Sequence, residues 1–219
     1  MEYRIKKIEN DFKIDADWNK QIWEITDSIH LKNFMGSKPD HFPNVYVKLL
    51  YSEDFIYVIF KVKDKYIKSI TEEYQGSVCN DSCVEFFFTP SENVKNGYFN
   101  VETNCGGVQL FNFKSYDRKI KTPIEVDDYK DVMIMSSLPR IISSEIEENL
   151  TWFVEYKIPL ELIKKYSESQ KPTSGTVWKS NFYKCADKTS HPHWLTWNIV
   201  DHPTPNFHLP QFFGTLIFE

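Results

Sequence analysis

Apolar and polar residues alternate with period two in segment after segment of this 219-residue chain. That alternation is the signature of strands whose two faces meet different surroundings. VYVKLLY (Val45 to Tyr51) breaks at SED before FIYVIFKVKD (Phe55 to Asp64), and the two read as a hairpin. NDSCVEFFFTP (Asn80 to Pro90) runs into the turn SENVKNG, and YFNVETN (Tyr98 to Asn104) and VQLFNF (Val108 to Phe113) follow as the next strands. Beyond them lie VMIMSSL (Val132 to Leu138), TWFVEYKIP (Thr151 to Pro159), VWKSNFYKC (Val177 to Cys185), HWLTW (His193 to Trp197) and the terminal GTLIFE. Eight to eleven strands with little helix predict one all-β domain over residues 1–219, an antiparallel β-sandwich of immunoglobulin-like or jelly-roll type. Short peripheral helices are expected in two places. Asp17 is placed to cap a turn through Trp18 to Trp23, and PLELIKKYSE starts with Pro159 at the first helical position.

The same alternation raises a chemical question, because Glu85 stands between Val84 and Phe86 in an otherwise apolar strand. Asp81, Cys83, Glu85 and Phe87 share one face, and Val84, Phe86 and Phe88 share the other. In YFNVETN, Asn100, Glu102 and Asn104 fall opposite Phe99, Val101 and Thr103 in the same way. If the apolar rows meet in an inter-sheet core, Glu85, Glu102 and Asn104 line an outward face. Two carboxylates and a carboxamide a few ångströms apart suit sugar hydroxyls, each of which donates and accepts. HPHWLTWN places Trp194 and Trp197 close together, and an aromatic platform beside polar groups suits the apolar C–H face of a sugar ring. Three apart in a strand, the two indoles face opposite ways, so at most one can serve as that platform. The plainer alternative is an ordinary wet face that binds nothing, with both tryptophans in the core.

Charge and composition exclude several classes. The net charge of -5 offers no footprint for a polyanion, and the run RKIK (Arg118 to Lys121) has acids nearby, so neither nucleic acid nor an anionic membrane is an expected partner. No apolar run is long enough to cross a bilayer, and MEYRIKKIENDF contains no signal-like apolar core. As it stands the sequence reads as cytoplasmic, or as extracellular or periplasmic if a leader once preceded it. Cys79 and Cys83, read as four apart on one strand, lie too far apart to bridge, and Cys105 and Cys185 stand alone. Aromatics at 16% and only 7 glycines favour well-packed sheets over a glycine-rich phosphate loop, and no GxGxxG or GxxxxGK[ST] occurs.

KIDADWNKQIW, LLYSEDFIYVIFKVKD, NDSCVEFFFTP, YFNVETNCGG, WFVEYKIPLELI, WKSNFYKC, HWLTW and FHLPQFFGTLIF, in this order, resemble the family 9 carbohydrate-binding modules within the wider group of DOMON-related β-sandwiches. The resemblance implies non-catalytic binding of poly- or oligosaccharides on the concave face of the sandwich, in the context of polysaccharide breakdown, xylan included. It also implies a sugar ring held between two tryptophans, with Glu, Arg and Asn side chains on its hydroxyls. Matched by motif position, these roles fall to Glu85, Asn104 and Trp197; in the site as read here Glu102 also meets the hydroxyls, and Trp194, Asn181 and Lys184 are rim contacts. The chain departs from the pattern at Cys79, where the first tryptophan is expected, and at Glu102, where the arginine is expected. No cofactor is required. Structural calcium occurs in the family, but no loop here carries the spaced acids that would place an ion. The expected partner is a carbohydrate, and the expected state is a monomer.

Four other readings stay open. Glu85 and Glu102 could act as acid and nucleophile of a retaining glycosidase such as a xylanase if their carboxyls stand roughly 5 Å apart. His191, His193, His202 and His208 fall within the last 29 residues and could ligate a metal if a third ligand converges. Met133 and Met135 with a loop histidine could hold a haem, although methionines in such a strand more often pack in the core. A family fold that has lost its ligand and serves as an interaction domain completes the set.

Overall fold

The computed structural model covers residues 1–219. Its strands are β1 (Glu2–Lys7), β2 (Ile29–His30), β3 (Asn33–Phe34), β4 (Asn44–Tyr51), β5 (Phe55–Asp64), β6 (Ile67–Ser69), β7 (Cys83–Thr89) and β8 (Tyr98–Asn104). They continue with β9 (Gln109–Lys114), β10 (Lys121–Pro123), β11 (Met133–Ser136), β12 (Ile142–Ile146), β13 (Leu150–Pro159), β14 (Val177–Cys185), β15 (Trp194–Thr196) and β16 (Gly214–Phe218). Each long alternating segment is a strand. The additional strands are mostly two or three residues long, too short for a period to be read.

Two sheets face each other. The first runs β10-β9-β8-β7-β14-β16, with β15 on β14, and the second runs β4-β5-β13-β11. β1 joins them, pairing in parallel with β16 through residues 2–5 and with β4 through Lys6 and Lys7. Every other ladder is antiparallel. Val84, Phe86 and Phe88 meet Val58, Phe60, Trp152 and Tyr156 in the inter-sheet core. Phe86 stacks on Phe182 with centroids 5.0 Å apart, and Phe88 stacks on Trp178 at 5.2 Å. Each fully buried aromatic of this kind contributes roughly 1.5–3 kcal/mol of transfer free energy.

Both sheets are also covered on their outer faces, which explains why all seven residues of β7 are buried. On the second sheet, the Glu155 carboxylate gathers the N-terminal segment. It accepts hydrogen bonds from the Asp15 and Ala16 amides at 2.7 and 2.8 Å, from Trp23 Nε1 at 2.8 Å and from Lys20 Nζ at 2.7 Å. KIDADWNKQIW is thus a strap over β13 and β5, packed through Ile14 and Trp23. Over the first sheet, residues 200–213 fold back so that Val200, Phe207, Leu209 and Phe213 pack on Phe87, Tyr98 and Tyr183. The outer row is therefore a second, smaller core where the alternation had suggested water.

Three local expectations change. Pro159 is extended (φ -61°, ψ 132°) and ends β13, still in register with Phe55, so it precedes the helix α2 (Leu160–Ser167) rather than opening its first turn. The Leu160 amide then donates to Asp54 O at 2.8 Å, which satisfies one free helix N–H. Asp17 accepts from the Asn19 amide at 2.9 Å in a turn of its own, and the 3-10 turn follows later, over Gln21–Ile25. Val78–Asn80 is also a 3-10 turn, so Cys79 does not share a strand with Cys83.

Candidate functional site

A cleft of about 350 Å³ opens on the outer face of the first sheet, between the folded-back C-terminal segment and the ends of β7, β8 and β14. Register builds its floor. Glu85 on β7 lies directly opposite Glu102 on β8 and Tyr183 on β14, and Cys83 lies opposite Cys185. Trp194 forms one wall, its Nε1 donating to Asp187 Oδ1 at 2.8 Å. Phe207 and His208 form another. Phe207 stacks on Tyr183 at 4.1 Å, and His208 stacks on Phe87 at 5.0 Å with its Nδ1 3.0 Å from the Tyr98 hydroxyl. Lys114, at the end of β9, completes the rim, with Nζ 3.1 Å from His208 Nε2.

The two floor carboxyls are only 2% and 6% exposed, and like-charged groups directly opposite each other in a sheet repel. Cys185 Sγ donates to Glu85 Oε1 at 3.1 Å, and Asn100 Nδ2 donates to Glu102 Oε1 at 2.8 Å. No other protein group hydrogen-bonds either side chain. Burial, and then the neighbouring Glu102 charge, hold Glu85 well above the usual carboxylate range. Burial likewise raises Glu102, opposed by the Asn100 hydrogen bond and by the Lys114 charge. Lys114 is itself pushed down by burial, and His208 falls to about 3 through burial and the Lys114 charge, so its ring is neutral. Beside the floor, on the same face of the sheet, Asn112 is fully buried and neither atom of its amide has a partner. The arrangement offers carboxyl groups that donate or accept, an ammonium donor, and an indole whose orientation is fixed.

Of the seven residues assigned to a sugar site from the sequence, Glu85, Glu102 and Trp194 line this cleft. Asn104 shares their face, but its amide donates to Asp81 Oδ2 at 2.9 Å and to Thr71 O, and accepts from the Val108 amide at 2.8 Å. Asn181 is committed too, bridging the Asn198 amide and carbonyl at 2.8 and 3.1 Å. Trp197 is 5% exposed, belongs to the inter-sheet core and packs edge-on against Phe182 at 5.6 Å. Lys184 faces inward and is 0% exposed, with Nζ 3.4 Å from Asp64 Oδ2 and 2.8 Å from His193 Nε2. Four of the seven therefore hold the structure around the cleft and do not line it.

The histidines separate into different surroundings. His193 Nδ1 lies 2.9 Å from His191 O and so carries the proton, leaving Nε2 to accept from Lys184. Burial and the Lys184 ammonium lower its pKa to about 3. His191 stacks on Tyr66, His202 bonds Thr204 O, and His208 lies against Phe87, so the four do not converge on one ion. Met133 and Met135 are exposed on the edge strand β11 rather than packed in the core. Lys114, Asp187 and Phe207 were missed from the sequence, and His208 was singled out only as a candidate metal ligand. Lys114 was within reach, because Leu110, Asn112 and Lys114 alternate onto the Glu102 face once β9 is extended by one residue.

A family profile described as carbohydrate-binding family 9 matches residues 17–218. A candidate carbohydrate-binding protein from Bacteroides uniformis ATCC 8492 is 26% identical and superposes with a TM-score of 0.89, covering 100% of this chain and 99% of that one. Two family 9 modules from Caldicellulosiruptor kristjanssonii share the fold. One, in complex with cellotriose, has a TM-score of 0.68 at 14% identity, covering 100% of this chain and 94% of the other. The second, in complex with glucose, has a TM-score of 0.60 at 18% identity, covering 99% and 95%. Among curated protein sequences none matches. With the profile spanning nearly the whole sandwich, the chain belongs to carbohydrate-binding family 9.

Proposed function

We propose that the outer-face cleft binds a carbohydrate without acting on it, with Trp194 as the stacking surface and Glu85, Glu102 and Lys114 as hydroxyl partners. The observation that carries this reading is the indole of Trp194, pinned by Asp187 and half-buried beside two carboxyls that have one protein hydrogen bond each. A volume of about 350 Å³ is at the small end of ligand sites, which run to roughly 1,000 Å³, and suits the end of a chain better than a long run of it. Family membership and the sugar-bound relatives support the ligand class. The substitution of tryptophan by Cys79 leaves one indole rather than two at the cleft, with Phe207 as the other aromatic wall.

The test is a tryptophan-fluorescence and calorimetric titration with glucose, cello-oligosaccharides and xylo-oligosaccharides. Saturable binding is expected in the wild type, and a loss of at least tenfold in affinity is expected for Trp194→Ala, since an aromatic contact is worth about 0.5–1.5 kcal/mol beyond the area it buries. Trp197→Ala should instead lower stability by about 3–5 kcal/mol as a core truncation. A folded Trp194→Ala variant that binds as well as wild type would remove this site from consideration. Release of reducing sugar that stops in Glu85→Gln would replace the binding reading with the glycosidase one.

A further inference from the structure

We propose that Cys83, Cys185 and Glu85 form a binding site for a soft divalent cation, zinc by chemistry, whose fourth coordination position opens into the cleft. The three side chains converge because of register. Cys83 and Cys185 are directly opposite on β7 and β14, and Glu85 follows Cys83 by two residues on the same face. Both sulfurs and a carboxylate oxygen lie within 4.8 Å of one another, and all three residues are buried. Two thiols alone would be ordinary small core residues. What distinguishes this cluster is the carboxyl, whose single hydrogen-bond partner is the Cys185 thiol at 3.1 Å, with no cation bonded to it.

Geometry favours a metal of zinc's size. With Zn–S near 2.3 Å and Zn–O near 2.1 Å, tetrahedral ligand atoms stand about 3.6–3.8 Å apart, so side-chain adjustments of an ångström or less bring the three atoms onto one ion. Paired thiolates select zinc and its softer relatives over calcium or magnesium, which require oxygen ligands. Glu85 and Cys185 line the cleft, whereas Cys83, fully buried next to them, does not. An ion held by all three therefore has its open side toward the cleft. Three protein ligands and one open position is an arrangement that keeps zinc accessible to water or to a bound ligand. The site shares Glu85 with the proposed sugar cleft but does not depend on sugar binding.

The experiment titrates the fully reduced protein with cobalt(II) as a spectroscopic probe, followed by zinc. One equivalent of cobalt should bring up sulfur-to-cobalt charge transfer together with the visible bands of a tetrahedral ion, and zinc should bleach both. Cys83→Ser and Cys185→Ser should each cut the charge-transfer band by about half or more, Glu85→Gln should weaken cobalt binding at least about tenfold, and Cys105→Ser, whose thiol points to Lys68 O, should leave it intact. If the serine variants fail to fold, the wild type carries the test: zinc or cadmium should raise its melting temperature, and magnesium should not. Absence of a tetrahedral thiolate spectrum and of any zinc-dependent thermal shift in reduced wild type overturns the proposal. So does a charge-transfer band of undiminished intensity in both serine variants. A Cys83–Cys185 disulfide in protein isolated without reductant, coupled with no cobalt binding after reduction, overturns it in favour of a redox pair.

Discussion

Replacing Glu102 by Gln tests the electrostatics of the cleft floor directly. Glu85 and Glu102 are cross-strand neighbours, so their β-carbons stand about 5 Å apart. At that separation and an effective dielectric of about 20, two full charges repel by about 3 kcal/mol. The Gln carboxamide keeps the acceptor that Asn100 bonds and gives Glu85 a donor in place of a charge. A gain of about 1–3 kcal/mol at neutral pH is expected, equivalent to a rise of about 2–12 °C in melting temperature for a domain of this size. The sign with pH follows from the raised carboxyl pKa values. In the unfolded chain both groups lose their protons near pH 4.3, whereas the folded protein retains them to higher pH. The contribution of these two groups to wild-type stability is therefore fully present below about pH 4.3 and falls as pH rises through the folded values, by about 1.4 kcal/mol per pH unit for each proton retained. Glu102→Gln should flatten that decline. Calorimetric melts of both proteins from about pH 5 to 8 measure it. If the variant is less stable than wild type at pH 7 and the wild-type profile is flat, the floor does not hold a desolvated like-charge pair.

Two further substitutions separate the frame from the cleft. Lys184→Met strips the buried Asp64 of its ammonium partner and should lower stability by about 3–5 kcal/mol, read from denaturant midpoints, while leaving sugar affinity of the folded protein unchanged. Although burial alone would raise the Asp64 pKa, the Lys184 charge and the His41 hydrogen bond hold it well below the usual range. The stability it contributes is present above about pH 4 and lost as pH falls further, and Lys184→Met should blunt that acid loss. Glu155→Gln removes the charge that collects four donors from the N-terminal strap. It should cost about 3–5 kcal/mol and expose the segment from Asp11 to Trp23 to hydrogen exchange before the rest of the domain.

How far the sequence reaches is visible at particular residues. The alternation in NDSCVEFFFTP and YFNVETN separates the inter-sheet row Val84, Phe86 and Phe88 from the row holding Glu85 and Glu102, because strand parity is local and survives any packing. The same logic puts Trp194 and Trp197 on opposite faces. Parity alone does not say which face is which, but Leu195 does: it sits in the core, so Trp197, two residues on, joins it, and Trp194 turns to the cleft. The row Trp178, Phe182 and Lys184 carries the equivalent warning that Lys184 points inward. Its ion-pair partner, Asp64, is 120 positions earlier in the chain, and no local pattern announces it. The burial of Glu102 is a long-range effect of the same kind. The row looks wet until residues 200–213 fold back across it, and that segment has no period to read, only prolines and aromatics whose docking depends on Phe87, Tyr98 and Tyr183 already being in place. A cleft made by one strand's parity and another segment's return is thus half legible. The residues that face the cleft can be named from alternation, whereas the desolvation that sets their chemistry belongs to the tertiary fold.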